Sequence, residues 1–387
     1  MSTTNDAVAA MLAARTGTDP ADWFLVHKAR YGMEVVFRAL ADLRGTGDVV
    51  TQVFTCCTAV DPVLVAGLRP VYAEVSPDSI AIDPARVLLG AATRAVVLQN
   101  TFGIVDDPTA VRLRGRAHDV GALLVEDSAH CVGTLARDEH REPVADVSIH
   151  SFGAEKMLPT RFGGAVWVDP RLADSGLRER LVRDLVALPV PGRRQDLAAR
   201  LYVNELRVLN RLPKGVSGPV RDALTAAGAF DPPVAPVERR GGLSARASGP
   251  SPWVAAQMRA VLPSLEDVEV RRAAAVREYV RALAGMVQVP AGIGDGRPLV
   301  RFPFFASDAA AAERVFSAVS EAGFYAGRWY RPALFPGVED PAVYGYAPGD
   351  GSLATTEDLI ARVVNLPTGV DVSDARRIAD VVLRAIG

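Results

Sequence analysis

The segment ALLVEDSAH, residues 122–130, decides the fold, because a short apolar run here ends in an acidic pair. Such a run, bounded by polar residues, is typical of a strand buried inside a parallel sheet. Six runs of this kind alternate with helical segments between about residues 48 and 170. The alternation predicts a large α/β domain with a mostly parallel sheet covered by helices. The predicted strands span residues 49–54, 70–75, 94–100, 122–127, 146–151 and 163–168.

Helices are predicted between and before these strands. Residues 61–68 and 107–121 each begin with Asp-Pro, which suits a helix start, and contain a glycine where the helix ends. Apolar residues at helical spacing predict a further helix over residues 33–43, with Gly32 just ahead of its first turn.

The second half of the chain has a different pattern. Residues 173–250 are rich in Arg, Leu, Pro and Gly and indicate a helical excursion from the large domain. The predicted domains are residues 1–250 and a smaller C-terminal domain over 251–387. The elements predicted beyond residue 250 are a long helix over about 253–285, a strand over 299–305, a helix over 308–323 and a final helix from residue 371.

The charge balance and residue spacing of the chain limit the kinds of partner that we expect it to bind. Lys plus Arg total 43 against 45 for Asp plus Glu, a formal charge of −2, which argues against an electrostatic grip on nucleic acid or anionic lipid. The three cysteines lack CxxC spacing, the histidines lack metal-ligand spacing, and no apolar stretch reaches about 18 residues. We therefore expect a cytoplasmic protein without a metal, a membrane partner or a nucleic-acid partner.

Three side chains follow the predicted strands at points that should converge. Asp127 closes one strand, Ser151 closes another, and Lys156 comes shortly after. The carboxyl ends of strands in an open α/β sheet meet at a crevice where ligands bind. A desolvated lysine can form a Schiff base, a carboxylate can keep a pyridine nitrogen protonated, and a serine with free helix amides can hold a phosphate. Together they describe a site for pyridoxal 5′-phosphate (PLP).

Several motifs extend this pattern beyond the three residues. They are EDSAH (126–130), SFGAEK (151–156), the paired glycines 163–164, VAGLRPVYAEV (65–75), AIDP (81–84) and NLP (365–367). With these motifs the chain resembles the DegT/StrS-type family of PLP-dependent aminotransferases, best known for acting on nucleotide-linked keto sugars. In the family NLP would belong to a turn.

The resemblance implies a fold type I PLP-transferase, with a mostly parallel central sheet in the large domain and a smaller α+β C-terminal domain. It implies that Lys156 is the Schiff-base lysine and that Asp127 partners the ring nitrogen. His130 would lie beside the phenolic oxygen, although a buried histidine with ordinary partners is the alternative. Ser151 would hold the phosphate with the helix amides. The residues expected to contact the cofactor are Gly32, Met33, Cys56, Asp127, His130, Ser151 and Lys156.

The substrate face is expected near Arg328, Tyr330 and Arg331, where an arginine could grip a carboxylate or phosphate. A solvated turn before Pro332 is the equally open alternative. The resemblance also implies a homodimer with a shared active site, an amino acid donor, glutamate or glutamine, and a small-molecule keto acceptor.

Four segments depart from the family's pattern. Residues 31–33 read Tyr-Gly-Met in place of Ser-Gly-Thr, and Cys56 stands where an aromatic residue is common. Residues 100–103 replace a His-x-x-Gly motif, and 240–252 contain no clean match to the Asn-x-Arg loop that a neighbouring subunit contributes. These positions bear on the sugar substrate more than on PLP.

The sequence therefore predicts a PLP-dependent aminotransferase whose acceptor is a nucleotide-linked keto sugar or a keto cyclitol of a specialised biosynthetic pathway, such as that of an antibiotic. One alternative keeps PLP but catalyses an elimination, an oxidation or a condensation. Another is a non-catalytic protein that binds a ligand on the same fold, against which the intact Asp127 and Lys156 pair argues.

Overall fold

The central sheet has seven strands in the computed structural model, which describes residues 3–386 apart from the side chain of Lys214. Its strand order is β1-β7-β6-β5-β4-β2-β3, in which β7 runs antiparallel to β1 and β6 and the other neighbours are parallel. The strands are β1 (Trp23–Val26), β2 (Asp48–Thr51), β3 (Arg69–Tyr72), β4 (Thr93–Gln99), β5 (Leu123–Ser128), β6 (Val147–Ser151) and β7 (Gly164–Val168).

Twelve α-helices accompany the strands in the described chain. They are α1 (Thr4–Thr16), α2 (Ala29–Arg44), α3 (Asp61–Val65), α4 (Asp107–Asp119), α5 (Ser175–Val186), α6 (Arg193–Leu209), α7 (Lys214–Ala226), α8 (Pro252–Val261), α9 (Leu265–Leu283), α10 (Ala309–Glu321), α11 (Ala354–Arg362) and α12 (Val372–Ile386). Among residues 3–386, no helix combines the length and apolar character needed to span a membrane.

Burial on both faces explains the nearly continuous apolar runs of the central strands. On one face, Val97 and Val125 share a core with α2 and α5. On the other face, Val96 and Leu124 pack with α4. Because successive side chains of a strand point to opposite faces, each strand serves both cores. The predicted mostly parallel α/β fold is confirmed.

The C-terminal part builds its own small sheet. Strands β8 (Arg301–Phe305) and β9 (Val363–Pro367) pair antiparallel, and Phe302 and Phe304 are fully buried with residues of α9, α10 and α12. The domain boundary at residue 250 stays a prediction.

Several predicted elements differ from the structure. Strand β1 was not predicted, because it lies outside the alternating pattern of residues 48–170. The long helix predicted over 253–285 is interrupted at Leu262–Ser264, where Pro263 cannot continue the hydrogen-bond ladder. The NLP motif lies in β9 rather than in a turn. Helix α2 begins at Ala29, one turn earlier than predicted.

Candidate functional site

A cavity of about 290 Å³ lies where the parallel strands β4, β5 and β6 end. It brings together six of the seven residues predicted to contact a cofactor, namely Met33, Cys56, Asp127, His130, Ser151 and Lys156. Tyr330 of the predicted substrate group also lines it. The convergence follows from the topology, because β5 lies between β4 and β6 and all three end on the same side.

Asp127 and Lys156, the two residues predicted to be catalytic, both line the cavity. Asp127 is 5% exposed, and its Oδ1 accepts a hydrogen bond of 3.0 Å from the Ala129 amide. Burial raises the pKa of Asp127. This hydrogen bond and the positive charge of Lys156 act in the opposite direction but are weaker. Burial lowers the pKa of Lys156. The negative charges of Cys56 and Asp127 would raise this pKa but are outweighed by burial. Each shift favours the uncharged form, and an uncharged amine is a nucleophile and a base.

His130 is held as a neutral ring. Its Nδ1 accepts a 2.9 Å hydrogen bond from the Phe102 amide, so the ring proton resides on Nε2, which lies 3.1 Å from the Tyr330 hydroxyl oxygen. Burial, followed by the charges of Lys156 and Arg301, lowers the pKa of His130 well below its ordinary value. The Tyr330 oxygen therefore accepts from His130, which leaves the phenolic hydrogen free to be donated elsewhere.

An indole ring also lies in the cavity. The Trp329 ring stacks on His130 with centroids 5.1 Å apart and an interplanar angle of 4°. The Lys156 Nζ lies 5.0 Å from the Trp329 ring centroid. Trp329 thus supplies an aromatic face beside the two polar groups, a role that the sequence did not assign to it.

The structure corrects the predicted start of the anion-binding helix. The cavity is lined by Lys28, which precedes α2, and by Ala29 and Arg30 of the first turn of α2, three residues earlier than the predicted motif. The amides of Gly32 and Met33 fall at the fourth and fifth helical positions, where amides bond to carbonyls one turn back.

Gly32 has a packing role instead. A Cβ atom at this position would lie 2.4 Å from Cγ2 of Val166 on β7. Glycine therefore allows α2 to lie close to the sheet.

Cys56 and Ser151 line the cavity with hydrogen-bonded side chains. The Thr58 hydroxyl donates to the Cys56 Sγ at 3.1 Å, and the hydrogen bond from Cys57 lowers the pKa of Cys56, as do Thr58 and Arg30. The Ser151 Oγ accepts from the Gly153 amide at 3.1 Å.

Two predicted substrate residues lie elsewhere. Arg328 and Arg331 each form an ion pair with Glu313 of α10 at 2.9 Å, and neither lines the cavity. Arg328 also lies over the Phe316 ring, 3.7 Å from its centroid. Both arginines therefore tie the segment after α10 to that helix.

The helical excursion forms one wall of the cavity, although the sequence did not indicate which of its residues do so. Tyr202 of α6 and the loop residues 231–234 line it. Two ion pairs fasten this wall to the first turn of α2, with Lys28 Nζ 2.6 Å from Asp231 Oδ1 and Arg30 Nη1 2.6 Å from Glu238 Oε2. One sequence signal was available for Lys28, because the whole chain has only three lysines, Lys28, Lys156 and Lys214. Two of the three therefore line one cavity.

The fold is that of the fold type I PLP aminotransferases, and Asp127 and Lys156 lie together in its cavity. Residues 26–185 match the model of the DegT/DnrJ/EryC1/StrS aminotransferase family. The resemblance predicted from the motifs is thereby confirmed. No group of three His, Cys, Asp or Glu side chains within residues 3–386 is placed to hold a metal ion.

Two curated relatives and one solved structure are similar to this chain. A dTDP-4-dehydro-2,3,6-trideoxy-D-glucose 4-aminotransferase of Saccharopolyspora spinosa is 28% identical over 44% of this chain and 44% of its own length. A GDP-perosamine synthase of Vibrio cholerae is 25% identical over 49% of this chain and 53% of its own. The Bacillus subtilis NtdA structure with bound cofactor PMP has a TM-score of 0.72 at 15% identity, covering 100% of this chain and 78% of that one. The chain thus spans about half the length of these curated relatives.

Proposed function

We propose that the protein is a PLP-dependent aminotransferase that moves an amino group from glutamate or glutamine to a keto acceptor. The observation that carries the proposal is the pair of Asp127 and Lys156 in one cavity, where burial lowers the pKa of Lys156 toward the uncharged amine that the reaction needs. The sugar-nucleotide aminotransferases among its relatives support a nucleotide-linked keto sugar or a keto cyclitol as the acceptor.

The residues of the cavity fit PLP. The Lys156 amine would bind the aldehyde carbon, and Asp127 would partner the ring nitrogen. The neutral His130 ring and the free hydrogen of the Tyr330 hydroxyl would contact the polar edge of the PLP ring. When bound, PLP supplies an electron-withdrawing ring that stabilises negative charge on the substrate carbon.

Lys156 also has the properties of a proton carrier. Its amine must take a proton from the amino donor and return it at the neighbouring carbon, which needs an uncharged group within hydrogen-bond reach. Burial favours that uncharged form, since desolvation penalises the ammonium. The Ala129 amide donates a hydrogen bond to Asp127 Oδ1 and thereby stabilises the negatively charged carboxylate form of Asp127.

The test is the visible absorbance of the protein with PLP, before and after excess L-glutamate is added without an acceptor. We expect glutamate to convert the cofactor to its aminated form, with loss of the visible band. Lys156→Ala should remove the band, whereas Arg161→Met removes an exposed positive charge from the cavity wall and should retain it. A band that is unchanged by both glutamate and glutamine would refute the transamination.

A second candidate keeps PLP and changes the reaction to an elimination, an oxidation or a condensation. The Cys56 thiol favours it, because this group lies in the cavity with a lowered pKa. A PLP band that substrate amino acids bleach without release of a keto acid would favour this candidate over transamination.

The assembly and location complete the proposal. We expect a homodimer with a shared active site, located in the cytoplasm, whose partners are small molecules. Light scattering of the purified protein tests the assembly, and a monomer at assay concentration with full activity would contradict it.

A further inference from the structure

Two of the three lysines in this arginine-rich chain line the same cavity, and the proposed reaction uses only Lys156. We infer that Lys28 binds the phosphate group of the cofactor, together with the free Arg30 amide at the start of helix α2. The inference rests on the proposed function and assigns one residue of the same site.

The Lys28 ammonium is a buried cation with spare hydrogen-bond donors. The residue is 8% exposed, and its Nζ lies 2.6 Å from Asp231 Oδ1 and 5.9 Å from the Phe162 ring centroid. An ammonium carries three donors, so the bond to Asp231 leaves others for an anion in the cavity.

The backbone beside Lys28 attracts an anion as well. Lys28 precedes α2 with extended backbone, no side chain caps this helix end, and its first turn holds no acidic residue. Within the described residues, the Arg30 amide has no hydrogen-bond acceptor from a side chain or a loop carbonyl, whereas the Ala29 amide faces the Gly163 carbonyl in a parallel bridge. Free amides and the positive end of the helix dipole favour a phosphate.

Arg30 is less suited to this task although it lines the same turn. Its Nη1 lies 2.6 Å from the fully buried Glu238, and its Nη2 donates to the Pro233 carbonyl at 2.7 Å. The charge of Arg30 is therefore already neutralised by a carboxylate that has no access to solvent. The partner of Lys28 differs, since the Asp231 side chain is 17% exposed and is solvated in part.

The test compares PLP with pyridoxal, which has the same ring and aldehyde but no phosphate. We expect Lys28→Met to weaken PLP binding by roughly 10- to 100-fold, the range for a lost charged hydrogen bond. Pyridoxal binding should change by less than about twofold, because the ring contacts remain. Lys28→Gln keeps a donor for Asp231 and should show the same loss if Lys28→Met does not fold.

Arg161→Met is the control, because it removes one positive charge from another residue that lines the cavity and should leave the preference for PLP over pyridoxal intact. An equal loss of PLP and pyridoxal in the Lys28 variants, or no loss of either, would overturn the inference. Failure of the proposed function has a different signature, since the unmodified protein would then bind neither PLP nor pyridoxal. In that case inorganic phosphate should still raise the melting temperature of the unmodified protein and not that of Lys28→Gln.

Discussion

The packing role of Gly32 leads to a prediction that separates it from phosphate binding. The substitution Gly32→Ala places a methyl group 2.4 Å from Cγ2 of Val166, well inside van der Waals contact. Valine is stiff about χ1, and Val166 is fully buried in β7, so it cannot rotate away. Overpacking of this kind costs about 1–3 kcal/mol.

A smaller effect opposes this cost. Alanine is favoured over glycine within a helix by about 0.5–1 kcal/mol. We therefore expect Gly32→Ala to lower the free energy of unfolding by about 1–2 kcal/mol. The affinity for PLP should stay within about twofold, because the free amide at the start of α2 belongs to Arg30 and not to Gly32.

Urea denaturation monitored by circular dichroism measures the unfolding, and a cofactor titration measures the affinity. The matched partner is Val166→Ala, which removes the clashing methyl groups. The double variant should be more stable than the sum of the two single changes predicts, by about 1–2 kcal/mol. Additive effects, or a large loss of PLP affinity in Gly32→Ala with unchanged stability, would refute the reasoning.

Three further predictions follow from buried polar groups. Cys56, whose pKa is lowered, should react with iodoacetamide at neutral pH and be protected by PLP; equal reactivity with and without PLP would place the thiol away from the cofactor. Tyr330→Phe leaves the His130 Nε2–H without its acceptor and should cost about 1–3 kcal/mol in urea denaturation, whereas unchanged stability would contradict the assigned tautomer. Burial raises the pKa of Asp61 to about 9, so its contribution is complete below its ordinary pKa of 3.8 and is lost as the pH rises to about 9. Asp61→Asn should flatten this dependence in melting curves recorded across that range, and an unchanged slope would contradict it.

The sequence predicted those site residues that follow directly from a strong local pattern, namely an apolar strand that ends in a polar residue. Asp127 and Ser151 end strands whose apolar runs are buried on both faces, and Lys156 follows within a few residues. Topology then brings all three to one cavity, as predicted.

The start of α2 could not be predicted in the same way. Apolar spacing identifies the buried face of a helix, and that face begins near Met33. The first turn instead carries Lys28 and Arg30, whose carboxylate partners lie 203 and 208 residues further along the chain. Contacts of such long range leave no periodic signal.

The same limit applies to the excursion and to the arginines after α10. The composition of residues 173–250 predicts helices but not that Tyr202 and Asp231 reach the cavity. Arg328 and Arg331 have the chemistry of anion-binding residues, yet both form ion pairs with Glu313 of α10 and lie outside the cavity.

The central claim is that Lys156 is the residue that binds the cofactor covalently. Borohydride reduction of the PLP-loaded protein fixes the cofactor to its lysine, and peptide mapping then locates the modified residue. With only three lysines in the chain, the assignment is unambiguous. If Lys156 binds the cofactor covalently, the label should be found on the peptide that contains Lys156 and should be absent from Lys156→Ala. A label on Lys28 in the unmodified protein, or no label at all, would contradict this role of Lys156.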